Sequence, residues 1–270
     1  MKSILVHIRD DSGQADRLAV ALDLARQHGA HLSCVQVTPF TAFVIADPLG
    51  GMFVSPSVLE ALREREDAMQ ARVEEEIRGA GISWDWRRFD GEAARAIVSR
   101  TRLADLVILS LPDEVTEERA APLPIIPDVA IHAGAPVLAL PREAGRFAAE
   151  GPVAIAWNGT LEAAHSLRAA VSLLRRAASV HIITVPDDSI EVPASEASDY
   201  LARYDIVSHA EELARRDEDV ATTLGDTALA LGAGYMVMGA YGHSRLRESI
   251  LGSVTAHLVA ESPVPLLLHH

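Results

Sequence analysis

The segment Met238–Thr255, MGAYGHSRLRESILGSVT, holds the residues of this chain best suited to cradle an anion. Gly239, Gly242 and Gly252 are spaced Gly-x2-Gly-x9-Gly, and Ser253 follows the last of them. Glycine lets a backbone take positive φ and come close to a ligand. Successive N–H groups then form a nest for negative charge. A helical stretch over 254–261 begins just after Ser253, where unpaired N–H groups and the helix dipole attract phosphate. The Ser253 and Thr255 hydroxyls could add hydrogen bonds or reach a metal-bound water. The apolar run YMVM leads into Gly239, so the loop leaves the end of a buried strand. A lone Gly-x2-Gly reads most simply as a turn; a strand before and a helix after make the longer pattern far more specific.

Other candidates for chemistry are sparse. His243 lies inside the loop and either touches phosphate or caps a turn. Arg245 and Arg247 either steer a polyphosphate or pair with Glu248 in solvent. Lys2 is the only lysine, which removes Walker A, kinase and Schiff-base chemistry. Cys34 is the only cysteine, so no intrachain disulfide forms and a reducing cytoplasm fits. His7, His31 and His181 fall in or beside expected strands and read as structural. No general base or nucleophile stands beside an activating partner. Catalysis by these residues is therefore not expected.

These residues must be positioned by elements that the chain states twice. Short apolar strands begin each part, ILVHIRDDS from Ile4 and VAIAWNGT from Val153, and an Ala/Leu-rich helix follows each. Second strands follow, LSCVQV and SVHIITV. Third apolar strands come after Gly91 and Gly225, DLVILS and YMVMG, with Asp226 read as the N-cap of the helix between. Pro-flanked strands close each part, APVLAL and VPLLLH. From Leu109/Met238 to Leu140/His269 the offset is a constant 129 residues, which indicates duplication. REAGRFAAEGP reads as a linker, giving domains over 1–144 and 151–270. Near-continuous apolar strands alternating with helices specify parallel sheets covered on both faces. The fold class is thus α/β: two tandem doubly wound domains, each with a five-stranded parallel sheet. The first is longer, with an extra apolar loop over 38–57 and a helix from about Ser57 to Arg78.

Composition sets further limits. The 270 residues are 49% hydrophobic, ample for a core, and no apolar run approaches the roughly 20 residues needed to span a bilayer. The N-terminus turns acidic within ten residues, unlike a signal peptide. Net charge is −14, with 16 basic and 23 acidic residues up to residue 150 and 8 and 15 beyond it. Each part carries −7, and with no basic arm nucleic acid is a disfavoured partner.

Gly239-x2-Gly242-x9-Gly252-Ser253, the words MGAYGHSRLRE and LGSVT, and VAIAWNGT together resemble the universal stress protein family. The resemblance covers both parts and makes the chain similar to a tandem, two-domain member. It implies strand order 3-2-1-4-5 in each domain, with ATP or another adenine nucleotide as ligand, with or without Mg2+. The family's phosphate contacts fall on Gly239, Gly242, His243, Gly252, Ser253, Val254 and Thr255. Its adenosine pocket falls on Ala156, Trp157, Asn158 and Val185, with Met238 beneath the loop. The family often has Asp where Asn158 stands; Asn still donates and accepts hydrogen bonds but carries no charge. Members usually dimerise, and here the two domains could pair with each other through the last strands, Val264–Leu268, while a homodimer of the whole chain stays open. The implied role is a nucleotide-binding stress-response regulator. A slow or self-phosphorylating ATPase, and a nucleotide-independent interaction module, are the alternatives.

The 129-residue offset sets Ser110 against Gly239, Asp113 against Gly242, Leu123 against Gly252 and Pro124 against Ser253. All three glycines are lost, and Asp113, Glu114, Glu117 and Glu118 stand where donors are needed. Pro124 also lacks an N–H. Only the second domain is expected to bind nucleotide.

Overall fold

The computed structural model describes residues 1–39, 45–46, 52–53, 56–111, 125–141, 147–186, 190, 192–213, 219–242 and 254–270. In chain order, the first half consists of β1 (Ser3–Ile8), α1 (Gln14–His28), β2 (His31–Thr38), β3 (Ile45–Ala46), β4 (Met52–Phe53), α2 (Pro56–Gly79), β5 (Trp84–Asp90), α3 (Ala93–Arg100), β6 (Leu106–Ser110), α4 (Ile125–His132) and β7 (Val137–Leu140). The second half consists of β8 (Pro152–Ala156), α5 (Leu161–Leu174), β9 (Ser179–Thr184), α6 (Ala194–Ala202), β10 (Ser208–Glu212), α7 (Val220–Ala230), β11 (Tyr235–Gly239), α8 (Val254–Glu261) and β12 (Leu266–His269). Strands β3 and β4 form a small antiparallel hairpin inside the long apolar loop.

Ten strands form one sheet in the order β10-β9-β8-β11-β12-β7-β6-β1-β2-β5. Setting the hairpin aside, each half follows the order 3-2-1-4-5 that the family resemblance implies. Pairing within each half is parallel throughout. The two sheets are not separate: β12 pairs antiparallel with β7, with Leu267 opposite Leu138. Both strands are wholly apolar apart from His269, so pairing them buries two edges that would otherwise offer open backbone donors and acceptors.

The pleat sorts the core into two layers. Ile4, Val6, Ile8, Val153, Ile155 and Val237 pack under α1, α2, α5 and α6. Leu5, Val107, Ala154, Met236 and Leu268 pack under α3, α4, α7 and α8. Alternate strand residues therefore serve opposite faces, and both faces are covered. Helix α2 buries Met69, Val73 and Ile77 on one stripe, as its periodicity requires.

One helix start departs from the expected one. Helix α7 begins at Val220 with Asp219 as its N-cap residue, so Gly225 and Asp226 lie inside it. Gly225 is there for packing: a Cβ would sit 3.3 Å from Pro263 Cδ, so the missing side chain admits the turn before β12. Cys34 is buried, and burial, with Asp85 and Glu74 nearby, pushes its thiol up to about 12, which rules it out as a nucleophile at neutral pH. Among the described residues no helix is long and apolar enough to cross a membrane.

Candidate functional site

In an open doubly wound sheet, ligands bind beyond the carboxyl ends of the strands, where the strand order reverses. In the second half that point lies between β8 and β11. The chain leaves β8 toward β9 on one side, and leaves β11 toward β12 on the other. Ala156 pairs with Met238 at this mouth, and Ile183, two residues before Val185, pairs with Ala156. Ala156, Val185 and Met238 all pack toward the α7/α8 layer. The expected adenosine residues Ala156, Val185 and Met238 are thus brought together, with Gly239 beside them.

Gly239 works by close approach. A Cβ there would lie 2.7 Å from Ala163 N and 2.9 Å from the Glu162 carbonyl carbon, so no side chain fits between β11 and the first turn of α5. Neither Gly239 nor Gly242 has positive φ; among residues 239–242 Tyr241 does, at 51°. The expectation of glycines in left-handed conformations is therefore corrected at Gly239 and Gly242. A bulky non-glycine residue in that region stores backbone strain, a feature that collects at ligand-binding loops. Gly242 lies directly over Glu162, since a Cβ there would be 3.1 Å from Glu162 Oε2.

Helix α5 carries two residues that the sequence reading passed over. Glu162, only 5% exposed, and Ser166 share the helical stripe facing β11. Ser166 Oγ donates to Met238 O at 2.8 Å and accepts the His269 N–H at 3.0 Å, clamping β11 to β12 at the crevice floor. Their signal was available: positions 162 and 166 lie in line with Ala170 and beside Ala163 and Leu167 on the apolar stripe, so they had to be buried. What they would meet there was not. Thr160 caps α5 by accepting from Ala163 N at 3.3 Å.

Two expected adenosine residues are placed differently. Trp157 continues the odd-numbered face of β8, so its ring enters the α5/α6 layer, where Nε1 donates to Val192 O at 2.9 Å. Only its backbone stays at the strand end, where its N–H donates to Ile183 O. Asn158 is exposed, and its Oδ1 accepts from Thr160 Oγ1 at 2.9 Å, so its carbonyl serves a turn. A cavity of about 270 Å³ opens beside Trp157 between α5 and α6.

Val254 opens α8, and Thr255 Oγ1 lies 3.4 Å from Gly239 O, which ties the helix start to the end of β11. His243, Gly252 and Ser253 lie outside the described residues, as do Arg245 and Arg247 and the first-half residues Asp113, Glu114, Glu117, Glu118, Leu123 and Pro124. Among the described residues no group of three or more His, Cys, Asp or Glu could hold a metal ion.

Comparison with known proteins agrees with this fold. Residues 151–270 match the universal stress protein family. A universal stress protein of Archaeoglobus fulgidus superposes with a TM-score of 0.76 at 15% identity, covering 98% of this chain and 97% of that one. A Pseudomonas aeruginosa protein described as a universal stress protein superposes with a TM-score of 0.60 at 17% identity, covering 100% and 93%. At such identities the likeness is one of fold, and it extends over both halves. No curated protein matches the chain.

Proposed function

Through residues 151–270 the chain belongs to the universal stress protein family, and from that premise we propose that its second half is a regulatory module holding one adenine nucleotide, with ATP as the best fit. The observation that carries this reading is Gly239. It sits at the strand-order reversal with the first turn of α5 pressed against it, so closely that no Cβ fits. The strained Tyr241 beside it supports a binding role for the same turn. The phosphates lie on N–H groups of the 239–253 loop and the start of α8. The adenosine lies on Ala156, Val185 and Met238. The Ser253 and Thr255 hydroxyls are assigned to a phosphate or to a hydrated Mg2+. Binding changes which partner proteins the surface accepts.

Titration of the whole chain with ATP is expected to give one site, and Gly252→Glu to abolish it while leaving the far-UV spectrum and melting temperature unchanged. Normal ATP affinity in that variant removes the phosphate assignment. ATP turnover that is linear over many cycles and lost in the same variant identifies an enzyme instead. Absence of nucleotide binding to the native chain leaves an interaction module.

Glu162 gives this site a distinctive electrostatics. Its buried carboxylate lies against Gly242, so phosphate oxygens reaching that N–H meet a like charge. Like charges about 4 Å apart cost ~1 kcal/mol even when well solvated. Glu162→Gln is therefore expected to tighten ATP binding about fivefold in metal-free buffer. The gain should shrink when Mg2+ screens the phosphates. Unchanged affinity by calorimetry in both buffers would place the phosphates away from Gly242.

A further inference from the structure

The corresponding crevice of the first half is not empty. Equivalent strands pair in the same register in both halves: Ile4 with Leu106 and Val153 with Tyr235, then Val107 with Val137 and Met236 with Leu266. His7 therefore stands where Ala156 stands, and Ser110 where Gly239 stands. The helices keep the same correspondence. A Cβ on Gly13 of the first half would lie 2.6 Å from Ser110 Oγ, just as a Cβ on Gly239 would lie 3.0 Å from Glu162 Cβ. Arg17 then occupies the place of Ser166. His7 for Ala156, Ser110 for Gly239 and Arg17 for Ser166 each put a larger side chain at the first half's strand ends, while Gly13 for Glu162 leaves room for the Arg17 guanidinium, since a Cβ on Gly13 would lie 3.2 Å from Nη1.

Arg17 is only 1% exposed. Its guanidinium reaches across the ends of β1 and β6, the strands between which the order reverses. Nε donates to His7 O at 3.0 Å, Nη1 to Ser110 Oγ at 2.6 Å, and Nη2 to Arg9 O at 3.2 Å and Gln14 Oε1 at 3.3 Å. Asp11 Oδ1, 2.9 Å from Nη1, supplies the countercharge. His7 is buried beside this group; burial first, then Arg17 and Arg9, hold its imidazole down to about 3, so it is neutral at physiological pH. The planar fork of donors is matched to carbonyl, hydroxyl and carboxylate acceptors around it.

We propose that the first half's crevice is a self-filled site, taking the chain's own Arg17 guanidinium where the second half takes a ligand, and that this plug restricts the chain to one nucleotide. The inference rests on the reading of the second half's crevice as the nucleotide site. It adds a cause for the asymmetry that lies in the described core and not in the loop. The first half is then a ligand-independent scaffold that holds β7 against β12.

The test is Arg17→Ala in the full chain, with methylguanidinium as probe. The variant is expected to melt several degrees lower, and low-millimolar methylguanidinium to restore part of that loss while leaving the native chain unmoved, because a ligand that binds only the folded state stabilises it. A folded variant that responds to methylguanidinium no more than the native chain overturns the proposal. If the variant does not fold, the native chain decides by NMR. One arginine Nε–H is expected to stay protected from exchange, and unshifted when ATP is added. Loss of that signal on ATP addition, or two ATP sites by titration, sinks the plug. Failure of ATP to bind either half would remove the nucleotide reading and leave the methylguanidinium result standing.

Discussion

Gly239→Val is expected to lower the stability of the chain by about 3 kcal/mol or more and to eliminate nucleotide binding. The cost is large because of what the new atoms would strike. The nearest atoms are Ala163 N at 2.7 Å and the Glu162 carbonyl carbon at 2.9 Å, both backbone of the first turn of α5. A flexible side-chain tip could swing aside. A helix start cannot, since Thr160 caps it and Ser166 hydrogen-bonds it to β11 and β12. For a chain of this size the loss corresponds to a melting temperature lower by roughly 6–12 °C. Gly239→Ala meets the same atoms with Cβ alone and should fall in between. Thermal melts and ATP titration of both variants check the order. If Gly239→Val melts like the native chain, β11 and α5 are not in contact as described and the crevice has no fixed wall.

Leu267→Asp should be as damaging, at about 4 kcal/mol or more, because it buries an unpaired charge. Leu267 and Leu138 are both 0% exposed and face each other across the one antiparallel pairing of the large sheet. The core layer beneath them runs from Ile4 and Leu32 to Val180 and Ile182 without a break, so this pair sits inside a core shared by the two halves. The expected signature is specific: calorimetry resolves two transitions in place of one, and proteases cut near residues 142–151. Leu103→Asp provides the control. Leu103 is 91% exposed, and a surface change of that kind should stay within about 0.5 kcal/mol. A single, barely shifted transition for Leu267→Asp would mean that the halves do not depend on the β7–β12 contact.

How much of this was legible beforehand varies from residue to residue. Trp157 could have been placed from parity alone. It shares its face with Val153 and Ile155, whereas Ala156 shares its face with Ala154. The strand-end position drew attention to the aromatic residue, but the pleat decided which layer received it. Gly225 and Asp226 misled because glycine and aspartate usually mark helix ends. Here the need to admit Pro263 outweighs the modest cost of glycine in a helix.

By itself the sequence determined the repeated alternation of apolar strands and helices and the placement of Gly239 at the end of a buried strand. Both follow from local physics: side-chain periodicity and the conformational limits of glycine and proline act over a few neighbouring residues. Only the tertiary structure decided that Arg17 fills the first crevice, that Glu162 lies under Gly242, and that β7 and β12 join two sheets into one. Arg17 and Ser110 are 93 residues apart, and Ser166 and His269 are 103 apart. Periodicity along the chain states that such side chains are buried. Which acceptor each one meets is set by the packing of helix on sheet, where a buried donor without a partner costs more than the local preferences that placed it.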